Sequence, residues 1–105
     1  MIFKLLAEGE EHARTAKELA EMLNCSRRDI TKQIEKERRA GYPICSSCRS
    51  DTPGYYIPID EKDLSLYCDS LKRRAIEIFK TRQALVAVLR KIQETKEQQH
   101  NNEAG

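Results

Sequence analysis

From Asp60 to Gln99 the sequence contains neither glycine nor proline. These are the strongest local interrupters of a helix. The run follows Pro58, opens at Asp60 as a cap, and carries Glu61 and Asp63 in its first turn. It predicts a single helix of roughly 35–40 residues, about 55 Å long at the usual rise per residue. A helix of that length needs a partner surface along its apolar side. Leu64, Leu71, Ile78, Leu85 and Ile92 recur every seven residues, and Cys68, Ala75, Arg82 and Leu89 each follow four residues after one of the first four. This is the spacing of a coiled-coil seam with Arg82 as its one charged break. Phe79 and Val86 widen one flank, while Tyr67, Ile76 and Val88 are apolar elsewhere on the helix. The first two turns, Leu64 to Leu71, are expected to cover the chain's own N-terminal domain. Beyond them, Leu71, Ala75, Ile78, Phe79, Arg82, Leu85, Val86, Leu89 and Ile92 are the expected interface of a homodimer, with Arg82 met by Glu77 or Asp69 of the second copy.

The residues before this helix follow another pattern. Ile2 to Ala7 reads as a short helix ended by Gly9 and the polar stretch around it. Thr15 is a candidate N-cap with Glu18 at capping-box spacing, and Leu19, Ala20, Met22 and Leu23 give the following helix an apolar face. Asn24 and Cys25 make a short turn, with Cys25 expected to fill a small apolar gap. Ser26 is a second N-cap, Asp29 suits the first turn, Ile30 and Ile34 keep helical spacing, and Gly41 stands where a C-terminal glycine belongs. Tyr42 to Cys45 then reads as a short strand, Ser46 to Gly54 as a loop, and Tyr55 to Ile57 as a second strand. The expected architecture is mainly α with a small β-hairpin: a winged helix-turn-helix over 1–58, the long helix over 59–99, and a disordered tail over 100–105.

In a helix-turn-helix the second helix of the motif lies in the DNA major groove, its N-terminal residues against base edges, while the preceding helix braces it on the backbone. Net charge is only +2, but from Ser26 to Arg49 seven Lys or Arg stand against three acids, and from Asp69 to Lys91 seven stand against two. Such clustering is the footprint that phosphate binding needs. The planar fork of arginine grips guanine or a phosphate in bidentate fashion. With Ile30 and Ile34 facing the core, Arg28, Thr31 and Lys32 point outward as base-reading candidates. Arg27 is the phosphate candidate, Ser26 and Lys36 join the DNA-binding set, and Arg49 and Ser50 on the loop between the strands reach for an adjacent groove or backbone. A winged helix also serves as a protein-interaction module, and an adaptor that holds another protein is the alternative.

The stretches Glu18-Leu19-Ala20, Ser26-Arg27, Ile30, Lys32, Gly41-Tyr42-Pro43-Ile44 and Gly54-Tyr55-Tyr56-Ile57 together resemble the winged-helix domain at the N-terminus of the biotin ligase/repressor family and of related small bacterial or phage regulators. The resemblance covers roughly residues 2–58. It implies duplex DNA binding through the helix after Ser26 and through the wing, in a dimeric transcription regulator or phage-type accessory factor. The biotin-binding catalytic domain has no counterpart here, so biotin chemistry is not implied. Glu37 departs from the family pattern, which has an apolar residue there. It implies either a slight rotation of the helix or a position at the domain edge, paired with a base.

Other classes find little support. Cys45-Ser46-Ser47-Cys48 has metal-knuckle spacing, but a zinc site needs two more ligands. Cys25, Cys68, His12 and His100 are the only candidates and are scattered, so no metal is expected. No histidine stands near a nucleophile pattern and no carboxylate pair lies on an apolar background, so the chain reads as no enzyme and as needing no small-molecule cofactor. No apolar run approaches a membrane span, and Met1 to Glu11 turns acidic too soon for a signal peptide, which makes the cytoplasm the expected compartment and the cysteines free thiols.

Overall fold

The computed structural model describes residues 1–47 and 49–104, with the backbone alone described for 99–104. Cys48 and the His100 side chain, two of the candidate metal ligands, lie outside the described residues. Two units divide the chain, Met1–Cys68 and Asp69–Gly105. The first is the winged helix-turn-helix that the pattern predicts. Its helix α1 spans Ala16–Leu23, α2 Arg27–Arg39, strand β1 Cys45–Ser46, strand β2 Tyr55–Tyr56, and α3 begins at Glu61.

Local chemistry explains these bounds. Thr15 caps α1 by accepting from the Glu18 amide at 3.1 Å. Asn24 then turns into the left-handed region (φ 52°) and ends the helix. Leu19 and Ala20 are buried, whereas Met22 and Leu23 are 49% and 45% exposed, so only half of the expected apolar face reaches the core. Cys25 is exposed rather than filling a gap, because the left-handed turn carries it out to solvent. Gly41, at φ 101°, closes α2.

Ile30 and Ile34 of α2 meet Leu19 and Ala20 of α1, Ile44, and two residues of the N-terminal segment, Ile2 and Leu6. That segment is a 3₁₀ helix over Ile2–Leu5 rather than a longer α-helix, and a second 3₁₀ turn covers Glu10–His12. Between and after them the backbone does something the side chains do not announce. The Ile57 amide donates to Ala7 (2.9 Å) and the Gly9 amide to Ile57 (3.0 Å), while Arg14 and Tyr55 exchange two bonds (2.9 and 2.7 Å). Ala7 and Gly9 thus bracket Ile57, just past β2, and Arg14 pairs with Tyr55 on the outer edge of β2, whose other edge pairs antiparallel with β1, Cys45 opposite Tyr56. Gly54, at φ 121°, permits this: a Cβ there would overlap the Arg14 carbonyl. The strand expected from Tyr42 is shorter, Cys45–Ser46, since the Ile44 amide is turned back onto the Tyr42 carbonyl at 3.0 Å.

Helix α3 runs from Glu61 to Ala104. It passes the end expected near Gln99, because the sequence offers no breaker before Gly105, and residues 100–104 are helical rather than a loose tail. Its first turns belong to the domain: Tyr67 is buried with Cys45 and Tyr56, and Leu64 and Ala13 pack on them, so the unit reaches Cys68 rather than stopping at 58. Within Asp69–Gly105 every apolar residue of the expected seam is exposed except Val86, which is half-buried; Ile78 and Leu85 are 70% and 63% exposed. No described helix is long and apolar enough to cross a membrane.

Candidate nucleic-acid interface

The inner face of α2 is fully committed. Ile30 and Ile34 are 1% exposed and Glu37, one turn further, is 3% exposed. Glu37 neither rotates the helix nor lies at a domain edge facing a base. Its carboxylate accepts from the Ile2 and Phe3 amides (2.9 and 2.8 Å) and from Gln33 Nε2 (2.9 Å), so it caps the N-terminal 3₁₀ helix. Burial raises the pKa of this carboxyl, but those three bonds and the N-terminal ammonium outweigh it and hold it below the ordinary value. The acid stands where an apolar residue is expected because the free amides at the start of a helix need acceptors.

With that face fixed, the opposite one is fixed too. Arg27, Arg28, Thr31, Lys32, Glu35, Lys36 and Arg39 are all exposed. Arg28, Lys32 and Lys36 are spaced by one turn each along it. Arg27, Arg28, Lys32 and Lys36 make no ion pair among the described residues. Arg39 shares the face but is bound to Glu35 at 2.6 Å. Its spacing from Arg28 and Lys32 marks it in the sequence, although it is not among the candidates above. At the helix start, Ser26 Oγ accepts from the Asp29 amide (3.1 Å) and Asp29 accepts from the Ser26 amide (3.2 Å), a complete capping box. These bonds hold the Asp29 carboxyl below its usual range. Two cations in the first turn work against the helix dipole, and Asp29 offsets only part of that. Thr31 spends its hydroxyl on the Arg27 carbonyl at 3.2 Å.

On the wing the expected cation is already paired. Arg49 and Ser50 are exposed on the loop before β2. The Arg49 guanidinium is turned onto the Asp51 carboxylate (3.3 and 3.0 Å) and lies in the field of Glu10 and Glu11. Ser47 of the same loop donates to Glu10 at 2.9 Å. The loop is thus locally neutral to acidic, unlike α2. Among the described residues no three His, Cys, Asp or Glu gather as a metal site. Cys45 is fully buried, and desolvation, with the charge of Asp63, pushes its thiol up to about 11.

No curated protein and no solved structure matches the chain. A family model described as an HTH domain matches residues 1–56, which takes in α1, α2 and the hairpin. With two helices joined by a tight turn, a basic outer face on the second, and a paired wing behind them, the chain belongs to the HTH domain family, a family of DNA-binding domains.

Proposed function

We propose that the protein is a dimeric, sequence-specific regulator of transcription that reads duplex DNA through α2, of the kind found at the N-terminus of the biotin ligase/repressor family and in small bacterial or phage regulators. The observation that carries this is the unpaired basic row on α2. Arg28 and Lys32 face the bases with Thr31 beside them, Arg27, Ser26 and Lys36 hold phosphates, and Arg49 and Ser50 reach the backbone once Asp51 releases Arg49. The exposed stripe of α3 supports the dimer. An apolar face this long demands cover, and a second copy supplies it while setting two reading helices at a fixed spacing.

The test is fluorescence anisotropy of a labelled mixed-sequence duplex across a salt series, for wild type and for Arg28→Ala/Lys32→Ala. Binding should weaken steeply with salt, and the double variant should bind less tightly with a slope lower by about one unit per lost phosphate contact. Absence of binding even at low salt would favour the adaptor reading, for which the same α3 stripe is the observation in favour.

A further inference from the structure

Arg38 belongs to the basic cluster of α2 but not to its exposed face. It is half-buried near the end of the helix and turns across the domain. Its Nε donates to the Ile44 carbonyl at 2.8 Å, and one terminal nitrogen donates to Ser46 Oγ and to the Tyr67 hydroxyl, both at 3.1 Å. The Tyr67 hydroxyl itself donates to Ser46 Oγ at 3.3 Å. The guanidinium carbon lies 5.8 Å from the centre of the Tyr55 ring and 5.6 Å from that of Tyr67. One side chain of α2 therefore touches β1, β2 and the start of α3 together. Its partners are a carbonyl, two hydroxyls and two ring faces, a set that a planar fork satisfies and a lysine does not. Cys45, Tyr56 and Tyr67 form a cluster separate from the main core. The start of α3 is thus held to the domain by that small cluster and by Arg38, rather than by the main core.

We propose that Arg38 and Tyr67 are positioning residues that couple the reading helix to the start of α3, so that DNA held by α2 is felt at α3. The DNA half of this rests on α2 being the reading helix; the coupling itself does not. Coupling of this kind is reciprocal by thermodynamic necessity. Tyr67→Phe keeps the ring and removes one oxygen. Arg38→Lys keeps the charge and removes the fork.

Hydrogen exchange on the full chain tests it. In free protein, Tyr67→Phe should speed exchange about tenfold both at the amides of 63–68 and in the last turn of α2, with far-UV helicity retained. Arg38→Lys, a change on α2, should likewise speed exchange both in the last turn of α2 and at 63–68. Faster exchange confined to the element that carries the substitution would overturn the proposal, and Tyr67→Phe alone decides it should Arg38→Lys fail to fold. In the second arm the mixed-sequence duplex is added. Wild type should gain protection over 63–68, and Tyr67→Phe should bind at low salt yet lose that gain. DNA that binds wild type and leaves 63–68 unchanged would also overturn it. No binding at all would sink the reading of α2 and leave the coupling to the free-protein arm.

Discussion

A carboxylate sealed inside a small helical domain survives only with donors around it, and Glu37 has two backbone amides and the Gln33 amide. Replacing it by alanine strands those donors, and Glu37→Ala should lower stability by about 2–4 kcal/mol in urea unfolding, given what charged hydrogen bonds and orphaned buried donors are worth. Its lowered pKa fixes a pH dependence. A carboxyl whose native pKa lies below its ordinary 4.5 stabilises the fold above that value, and the stabilisation fades as the pH falls through 4.5 and on through the lower native value. The melting midpoint of Glu37→Gln should therefore lie below wild type at neutral pH, and the gap should narrow by pH 3; a constant gap would show that the amides do not need the charge. At the wing, Asp51→Asn frees Arg49 and removes a negative charge beside it. It should tighten duplex binding severalfold at low salt, about the scale of one exposed ion pair, and anisotropy that shows no gain would remove Arg49 from the interface. The carboxylates at 37 and 51 were the least legible part of the site. Sequence spacing shows that a residue points inward or outward, but not which backbone amide or arginine waits for it.

The helices were legible element by element because their ends are written in side chains. Ser26 and Gly41 do in the structure what their position suggests, and Thr15 caps α1 with half of the box that its spacing to Glu18 suggests. The outer face of α2 followed from Ile30 and Ile34 alone, since fixing one side of a helix fixes the other. The sheet was half legible. The hairpin showed itself through Tyr55 and Tyr56, but the bonds of Ala7 and Gly9 to Ile57 and of Arg14 to Tyr55 use backbone groups only, and the side chains around them look like those of any loop. By sequence Gly54 is one more loop residue, and its closeness to Arg14 explains why it is glycine. Gly54→Ala should cost about 2 kcal/mol or more through backbone strain and the broken edge, with a lower urea midpoint and an unchanged slope. A midpoint at the wild-type position would mean that the edge pairing is not needed.

For the molecule as a whole, the heptad spacing was plain in the sequence, whereas its occupant was not, because a seam names a partner surface without naming the chain that brings it. If a second copy covers the stripe, Leu85→Glu places a charge in the middle of it. Light scattering at tens of micromolar should then report a monomer mass where wild type reports a dimer, and binding to a duplex with two half-sites should fall at least about tenfold as the second attachment is lost. A wild-type monomer at that concentration would end the dimer proposal. Cys45 offers a different way to follow the same molecule. Its thiol has no exposed surface and its pKa is pushed up to about 11, so at neutral pH it is protonated and shielded, a poor target for alkylation. Cys25 and Cys68 lie open to solvent. A maleimide reagent should mark those two at once and reach Cys45 only when Tyr56 and Tyr67 part above it. Residue-resolved labelling at Cys45 is thus an internal stopwatch for how often the root of the long helix lets go.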